Sequence, residues 1–140
     1  MTITAIARPI AVAVVDASVM VEGVRGDTAV LAFLTSITAA SGLLLVPPHF
    51  WSEVTNGLFK RRRDPLGTAM DLRAVAEIGI EVADRGIAGL VDTIALAAKH
   101  QLTIYDAAYL QLARDVEGEL ATYDQALAIA AEAEGIVVRP

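Results

Sequence analysis

Short apolar runs recur along this 140-residue chain, separated by longer stretches in which apolar residues return at helical spacing. An uninterrupted apolar run of a few residues, bounded by turn residues, is typical of a strand buried on both faces. The run IAVAVV at residues 10–15 is the clearest example, and LLLV at residues 43–46 ends at two prolines. The predicted strands are residues 10–15, 43–46, 78–82, 120–122 and 136–138.

Between these runs, apolar spacings of three and four residues predict amphipathic helices. Asp27 is the predicted N-cap of one helix, whose apolar positions are Val30, Leu31, Leu34 and Ile37. Further helices are predicted at residues 49–62, 66–76, 86–100, 103–114 and 125–134. The alternation of strands and helices predicts an α/β fold, a three-layer α/β/α sandwich with a mostly parallel, about five-stranded sheet.

Several side chains are assigned to the core or to one helix face from this periodicity. Trp51, Tyr105 and Tyr109 are expected to pack in the core rather than to stack on bases. Ile87, Leu90 and Ile94 are expected on one side of the helix at residues 86–100, together with Ala97.

Length and composition favour one domain over residues 1–140, with residues 1–9 as a flexible lead-in. Hydrophobic residues make up 55% of the chain, yet no apolar run reaches the roughly 18 residues of a membrane helix. The apolar excess is therefore assigned to a doubly covered sheet and to a subunit interface. The lack of cysteine excludes disulfides, thiolate zinc sites and a cysteine nucleophile, and it fits a cytoplasmic protein.

The net charge of −6 argues against a protein that coats nucleic acid, because such binding depends on neutralising many phosphates. It is compatible with an enzyme whose negative charge is gathered in one pocket and screened by a metal. The chain contains no GxxxxGK[ST], GxGxxG, GxSxG or HExxH motif. Nucleotide hydrolysis, dinucleotide binding, serine hydrolysis and HExxH-type zinc chemistry therefore have no support.

Four acids are predicted to meet beyond the carboxyl ends of the strands, where open α/β sheets bind ligands. Asp16 follows the first predicted strand and Asp124 follows the fourth. Glu53 lies one turn into the helix after the second strand, and Asp106 lies in the first turn of the helix before the fourth. Four carboxylates in one crevice need a cation to stay ionised. Sites with only oxygen ligands suit Mg²⁺ or Mn²⁺, and such ions held by carboxylates catalyse phosphodiester hydrolysis.

Most of these acids also have a purely structural explanation. Asp106 could only begin a helix, where a carboxylate contributes about 0.3–1 kcal/mol against the dipole. Asp124 could be only an N-cap and Glu53 only a solvated helix residue. Asp16 is harder to explain in this way, because a carboxylate directly after a buried strand needs a partner. The joint occurrence of all four acids therefore carries the functional interpretation.

A basic run occupies residues 60–63, in the last turn of a predicted helix. It is either a solvated helix end that is favourable against the dipole, or a contact with the RNA backbone. In the second case Lys60, Arg61 and Arg62 would make the contact.

VVDAS around Asp16, Glu53 with Asn56, YDAAY around Asp106 and TYD ending at Asp124 resemble the motifs of PIN domains. More narrowly, they are similar to those of the VapC toxins of toxin–antitoxin pairs. The resemblance extends from about residue 10 to residue 138, nearly the whole chain. None of these motifs is specific alone, but together they stand in order at the expected junctions. The departures are the lead-in and the basic run at residues 60–63.

The resemblance implies a magnesium-dependent endoribonuclease, with Mn²⁺ as a substitute and one or two ions bound. It would cleave tRNA or another structured RNA without a covalent intermediate, as the toxin of a VapBC-type system inhibited by a VapB-like antitoxin. The implied site residues are Asp16, Glu53, Asp106 and Asp124 as catalytic acids, Asp16, Asp106 and Asp124 as metal ligands, and Ser18, Asn56 and Thr122 as polar side chains supporting them. A homodimer is also expected, through the helices near residues 27–39 and 49–60.

Two other functions remain open at the level of the sequence. One is a carboxylate–metal phosphohydrolase that acts on a small phosphoester. The other is a non-catalytic binding module whose acidic pocket docks an arginine of a partner.

Overall fold

The computed structural model describes residues 11–140, so the predicted lead-in at residues 1–9 lies outside the described residues. The strands within that part of the chain are β1 (Val12–Val15), β2 (Leu43–Val46), β3 (Ile80–Val82), β4 (Glu119–Ala121) and β5 (Val138–Arg139). The helices are α1 (Ala17–Val24), α2 (Thr28–Ala39), α3 (Phe50–Arg62), α4 (Pro65–Ala76), α5 (Gly86–His100), α6 (Ile104–Asp115) and α7 (Gln125–Ala133). No helix among residues 11–140 is both long and apolar enough to cross a membrane.

The sheet is parallel throughout, in the order β3-β2-β1-β4-β5. β1 lies at its centre, and Ala13, Val14 and Val15 are completely buried. Removing each such valine side chain from water contributes roughly 1.5–3 kcal/mol, which explains why an unbroken apolar run lies at the centre. The predicted parallel sheet is confirmed, and its first and fourth strands are neighbours.

The helices form two groups that cover the sheet. α1 packs against α2 and α3, and α3 packs against α4, whereas α6 packs against α5, α7, β1 and β4. The molecule is therefore the predicted three-layer α/β/α sandwich.

Local signals in the sequence set several helix ends. Asp27 Oδ1 accepts hydrogen bonds from the amides of Ala29 and Val30, as predicted for an N-cap. Gly135 follows α7 with a φ of 76°, in the left-handed region that glycine adopts without strain. These caps fix where the polypeptide leaves each helix and enters the next strand.

Helix α1 was not predicted from the sequence. It begins directly after Asp16, whose side chain makes no capping hydrogen bond. Its eight residues, ASVMVEGV, are mostly apolar and buried, and its polar side holds only Ser18 and Glu22, too few to show a helical period next to the apolar run before it. Asp16 stands at the N-cap position but was assigned to the site. The helix forms because it packs on α2 and α3, an interaction that local propensity does not record.

Periodicity also placed some side chains wrongly. Leu31 is 46% exposed, although it shares the predicted apolar face of α2. Tyr105 was assigned to the core and is 62% exposed, whereas Tyr109 is buried as predicted. On α5, Ile87, Leu90, Val91 and Ile94 are between 48% and 76% exposed, and we call them the α5 apolar face. The helices at residues 27–39 and 49–60, which the sequence favoured as dimer surfaces, expose fewer large apolar side chains.

Candidate active site

The carboxyl ends of β1 and β4 meet at Asp16. Its backbone amide donates to the carbonyl of Ala121 at 2.9 Å, which continues the strand pairing and buries the residue to 5% exposure. Asp16 Oδ2 accepts hydrogen bonds from Thr122 Oγ1 at 2.7 Å and from Ser18 Oγ at 2.9 Å. The partner that a buried carboxylate requires is thus a pair of hydroxyls, at the two positions predicted to support it.

The same hydroxyls connect Asp16 to Asp124. Thr122 Oγ1 accepts from the amide of Asp124 at 3.0 Å, and Ser18 Oγ accepts from the amide of Tyr123 at 3.1 Å. Asp124 is also the N-cap of α7, because its Oδ1 accepts from the amide of Leu127 at 2.8 Å. The N-cap explanation of Asp124 is therefore correct, and it uses only one of the two carboxylate oxygens.

Glu53 enters the site from α3, which lies close against α1. A Cβ at Gly57 would lie 2.8 Å from Val21 Cγ2, so glycine permits this approach of the two helices. Glu53 Oε1 accepts a hydrogen bond from the Tyr109 hydroxyl at 2.7 Å and lies 3.3 Å from His49 Nε2. His49 Nε2 is also 3.0 Å from the carbonyl of Tyr105, which makes that nitrogen the protonated one.

Asp106 reaches the site from the first turn of α6, where Thr103 Oγ1 accepts from its amide at 3.1 Å. Burial raises the pKa of the Asp106 carboxyl, and the negative charges of Asp124, Asp16 and Glu53 raise it further. The other three predicted acids therefore all lie close enough to Asp106 to act on it electrostatically.

These side chains line one open cleft of about 500 Å³. Its lining includes Asp16, Ser18, Glu53, Asn56, Lys60, Arg61, Asp106, Tyr123 and Asp124. Thr122 does not line the cleft but supports Asp16 from the sheet. The structure thus brings the predicted acids and Asn56 together.

The basic run divides at Arg62. Lys60 and Arg61 line the cleft, and Arg61 is paired with Glu22 at 2.6 Å. Arg62 does not line it and instead bonds to Asp71 at 2.9 Å. Of the three predicted RNA contacts, two are at the site and the third is engaged in an ion pair elsewhere.

The side-chain oxygen atoms that line the cleft are of the kind that binds a hard divalent cation, although they do not yet surround one point as the ligands of a bound ion would. Carboxylate oxygens are what Mg²⁺ and Mn²⁺ prefer, and the pKa of Asp106 is raised first by burial and then by the neighbouring carboxylates, whose charge a cation would compensate. Within residues 11–140, no three His, Cys, Asp or Glu side chains form a ready-made metal-binding group. The structural hydrogen bonds of Asp16 and Asp124 each occupy one oxygen, leaving the second available to a ligand.

A second cavity of about 450 Å³ lies between α5 and α6. Its lining is mostly apolar, with Ile87, Leu90 and Ile104 among its residues, and it contains none of the four acids. Reaction chemistry therefore has to be sought in the acidic cleft rather than here.

Two residues near the acids were not identified as site residues from the sequence. Tyr109 was assigned to the core, and its hydroxyl also binds Glu53. His49 was given no role, and it packs edge-on against the Tyr109 ring with centroids 5.1 Å apart. The i, i+4 spacing of His49 and Glu53 on a predicted helix indicates that their side chains are neighbours. No such spacing in the sequence links Tyr109 to Glu53.

The family model described as the PIN domain matches residues 13–133. A curated relative, Ribonuclease VapC3 of Pyrobaculum aerophilum, is 54% identical over 39 residues. That match spans 28% of this chain and 30% of the relative, so it covers under a third of that protein.

Solved structures share the fold at low sequence identity. PAE2754 from Pyrobaculum aerophilum has a TM-score of 0.70 at 22% identity, over 91% of this chain and 83% of that one. Mycobacterium tuberculosis VapC20, described as a sarcin-ricin loop cleaving toxin, has a TM-score of 0.64 at 19% identity, over 91% and 99%. A toxin–antitoxin complex from Klebsiella pneumoniae has a TM-score of 0.57 at 19% identity, over 80% and 86%.

Proposed function

Because the chain belongs to the PIN-domain family, we propose that it is a metal-dependent endoribonuclease and the toxin of a VapBC-type pair. The observation that carries the proposal is the joining of Asp16, Glu53, Asp106 and Asp124 in one cleft. The partial match to a VapC ribonuclease and the fold shared with an RNA-cleaving toxin support the choice of RNA as substrate.

Asp16, Asp106 and Asp124 are the proposed ligands of Mg²⁺, or of Mn²⁺ in its place. When bound, the cation supplies activation of water and stabilisation of the charge on the phosphate oxygens. Ser18 and Thr122 hold Asp16 in place, so that the carboxylate needs little reorganisation when a ligand arrives. Glu53 closes the opposite wall of the cleft from α3.

Lys60 and Arg61 are the proposed contacts to the RNA backbone. Both line the same cleft as the acids, and a basic side chain there compensates the phosphates that flank the reacting one. Their small number fits a chain of net charge −6 that binds RNA at one site rather than along its whole surface.

Substrate preference separates this function from its two alternatives. The purified protein is incubated with Mg²⁺ or Mn²⁺ and either structured RNA, including tRNA, or a small phosphoester such as p-nitrophenyl phosphate. The proposal predicts internal cleavage of RNA and little hydrolysis of the small ester. Preference for the ester would indicate a small-molecule phosphohydrolase, and inactivity on both would favour the non-catalytic module.

We also propose a VapB-like antitoxin that buries an arginine in the acidic cleft. A guanidinium forms paired hydrogen bonds with carboxylates and would take the electrostatic place of the cation. Excess Mg²⁺ should therefore weaken antitoxin binding. An antitoxin that binds without reducing RNA cleavage would exclude the cleft as its target.

The α5 apolar face is the proposed homodimer surface. It brings several large apolar side chains together on one helix, beside the apolar cavity lined by Ile87 and Leu90. Leaving such a patch in water is unfavourable, and a second copy related by a two-fold axis would cover it.

A further inference from the structure

The hydroxyl of Tyr109 lies where three acid-bearing segments approach one another. Tyr109 is completely buried on α6, one turn after Asp106. Its hydroxyl donates to Glu53 Oε1 at 2.7 Å, across from α3. Ala17, the residue after Asp16, lines the same cleft as Glu53.

We propose that Tyr109 is a positioning residue for Glu53, fixing that carboxylate at the wall of the acidic cleft so that it contributes to cation binding. The proposal rests on the metal-dependent nuclease function and assigns Tyr109 a part in it. Tyr109 acts through Glu53 and does not itself touch the substrate.

Glu53 needs such a tether because its own helix supplies one longer polar contact, from His49 Nε2 at 3.3 Å. Its side chain is 38% exposed, and a glutamate has three rotatable bonds that an exposed helix face leaves largely unrestricted. The hydrogen bond from a buried, rigid phenol selects one of these arrangements. Preorganised side chains of this kind lower the cost of gathering ligands around a metal.

The surroundings of Tyr109 keep its hydroxyl a donor. An ionised carboxylate can only accept, so the phenol donates to Glu53 Oε1 at 2.7 Å. His49 packs against the ring, and its protonated Nε2 is hydrogen-bonded to the carbonyl of Tyr105. Because that bond holds the imidazole, Glu53 keeps the phenol as its nearest polar contact.

A buried phenol also needs a hydrogen-bond partner merely to be satisfied. A packing role of this kind predicts that loss of the hydroxyl changes thermal stability alone. A positioning role predicts that it changes cation affinity and turnover as well.

The test uses Tyr109→Phe, which keeps the ring and removes the hydroxyl. Thr93→Val is the matched control, since Thr93 is also buried and donates to the carbonyl of Gly89 on α5, away from the acids. Mg²⁺ affinity is measured from the rise in Tm with Mg²⁺ concentration. We expect about 10-fold weaker Mg²⁺ binding in Tyr109→Phe and an unchanged affinity in Thr93→Val. In the RNA assay kcat should fall, with little change in KM.

Two further variants test whether the effect passes through Glu53. In a Glu53→Ala background, Tyr109→Phe should cause no additional loss of Mg²⁺ affinity, because the group it positions is gone. Glu53→Asp keeps the charge but is too short to hold the same place and reach the phenol, so it should also bind Mg²⁺ more weakly. The Glu53→Asp result stands even if Tyr109→Phe does not fold.

Wild-type Mg²⁺ affinity in Tyr109→Phe, or in Glu53→Asp, would overturn the positioning role while leaving the nuclease intact. Equal losses from Tyr109→Phe in the wild-type and Glu53→Ala backgrounds would overturn it too. A wild-type protein that neither binds Mg²⁺ or Mn²⁺ nor cleaves RNA would overturn the proposed function together with this inference.

Discussion

Asp124 uses its two carboxylate oxygens for different purposes. One accepts from the amide of Leu127 and caps α7. The other is not hydrogen-bonded to any residue in 11–140, and the residue lines the acidic cleft. A helix cap can therefore serve as a ligand without giving up its structural role.

Asp124→Asn separates the two roles. Asparagine caps a helix about as well as aspartate, so α7 should keep its start. Removing one negative charge relieves repulsion in the cleft, where Asp124 already acts on Asp106, so the variant should melt higher than wild type in EDTA. The rise in Tm caused by excess Mg²⁺ should shrink. Melting curves with EDTA and with Mg²⁺ measure both effects.

Asp27→Asn is the matched control, because Asp27 also caps a helix and does not line the cleft. Its Oδ2 accepts from the hydroxyl of Tyr123, and asparagine keeps an oxygen that can accept that bond. It should leave the Mg²⁺-dependent rise in Tm unchanged. If Asp124→Asn also keeps the full rise, Asp124 is a cap alone.

Individual site residues can be predicted from the sequence when they stand where one predicted element ends and the next begins. Asp16 was predictable because a carboxylate after a buried strand needs partners, and those partners are two neighbouring hydroxyls. The hydrogen bond between Tyr109 and Glu53 was not predictable, because the two residues are 56 positions apart and a buried tyrosine has many possible partners.

The packing of α1 against α3 sets the width of the cleft between Asp16 and Glu53. Gly57→Ala would place a Cβ 2.8 Å from Val21 Cγ2. The alanine gains roughly 1 kcal/mol of helix propensity, but forcing the helices apart costs about 1–3 kcal/mol. We expect a net loss of about 1 kcal/mol in unfolding free energy and weaker Mg²⁺ stabilisation. Denaturant unfolding and a Mg²⁺ titration measure these.

Val21→Ala removes the side-chain atoms that the new Cβ would meet. In that background Gly57→Ala should cost less than it does in the wild-type protein, because contacting residues are not additive. Equal costs in the two backgrounds would mean that the α1–α3 contact does not explain the effect.

Glu134 joins the end of α7 to the end of α5. Hydrogen bonds from Lys99 and then from His100, both 2.8 Å long, lower the pKa of the Glu134 carboxyl from 4.5 to about 2. The ionised form is favoured by folding, so its contribution is complete above about pH 4.5 and is lost as the pH falls toward 2. Wild type should therefore have a higher Tm than Glu134→Gln at pH 6. This difference in Tm should narrow as the pH falls from about 4.5 toward 2. A gap that persists at pH 2 would exclude this ion pair as its source.

Element type and order could be predicted because apolar runs and helical periods differ in length and spacing. Which side of α5 faces the core could not be predicted, because the apolar period defines one face of the helix but does not show whether another element covers that face. Helix α1 was missed because its polar side holds only Ser18 and Glu22, too few to show a helical period next to the apolar run before it. Both failures concern packing partners that lie outside the local sequence.

The proposed homodimer is formed through the α5 apolar face. Leu90→Glu and Ile94→Glu place charges at its centre and should convert a dimer into a monomer. Leu31→Glu is the matched control, because Leu31 on α2 is similarly exposed, at 46% against 48% for Leu90. Light scattering at micromolar concentration measures the mass. If Leu90→Glu and Ile94→Glu remain dimers and Leu31→Glu becomes a monomer, the interface is on α2 and not on α5.

We propose that one acidic cleft of this protein cuts RNA with the help of a divalent cation. The direct test is cleavage of structured RNA by wild type, Asp16→Asn and Asp124→Asn, in EDTA and in excess Mg²⁺ or Mn²⁺, with the fold of each variant verified by its melting curve. Wild type should cut only with metal, and each variant should lose about 10²- to 10³-fold in rate, the usual scale for removing one group that stabilises transition-state charge. Cleavage that persists in EDTA and in both variants, or no cleavage by wild type under any metal condition, would contradict the claim.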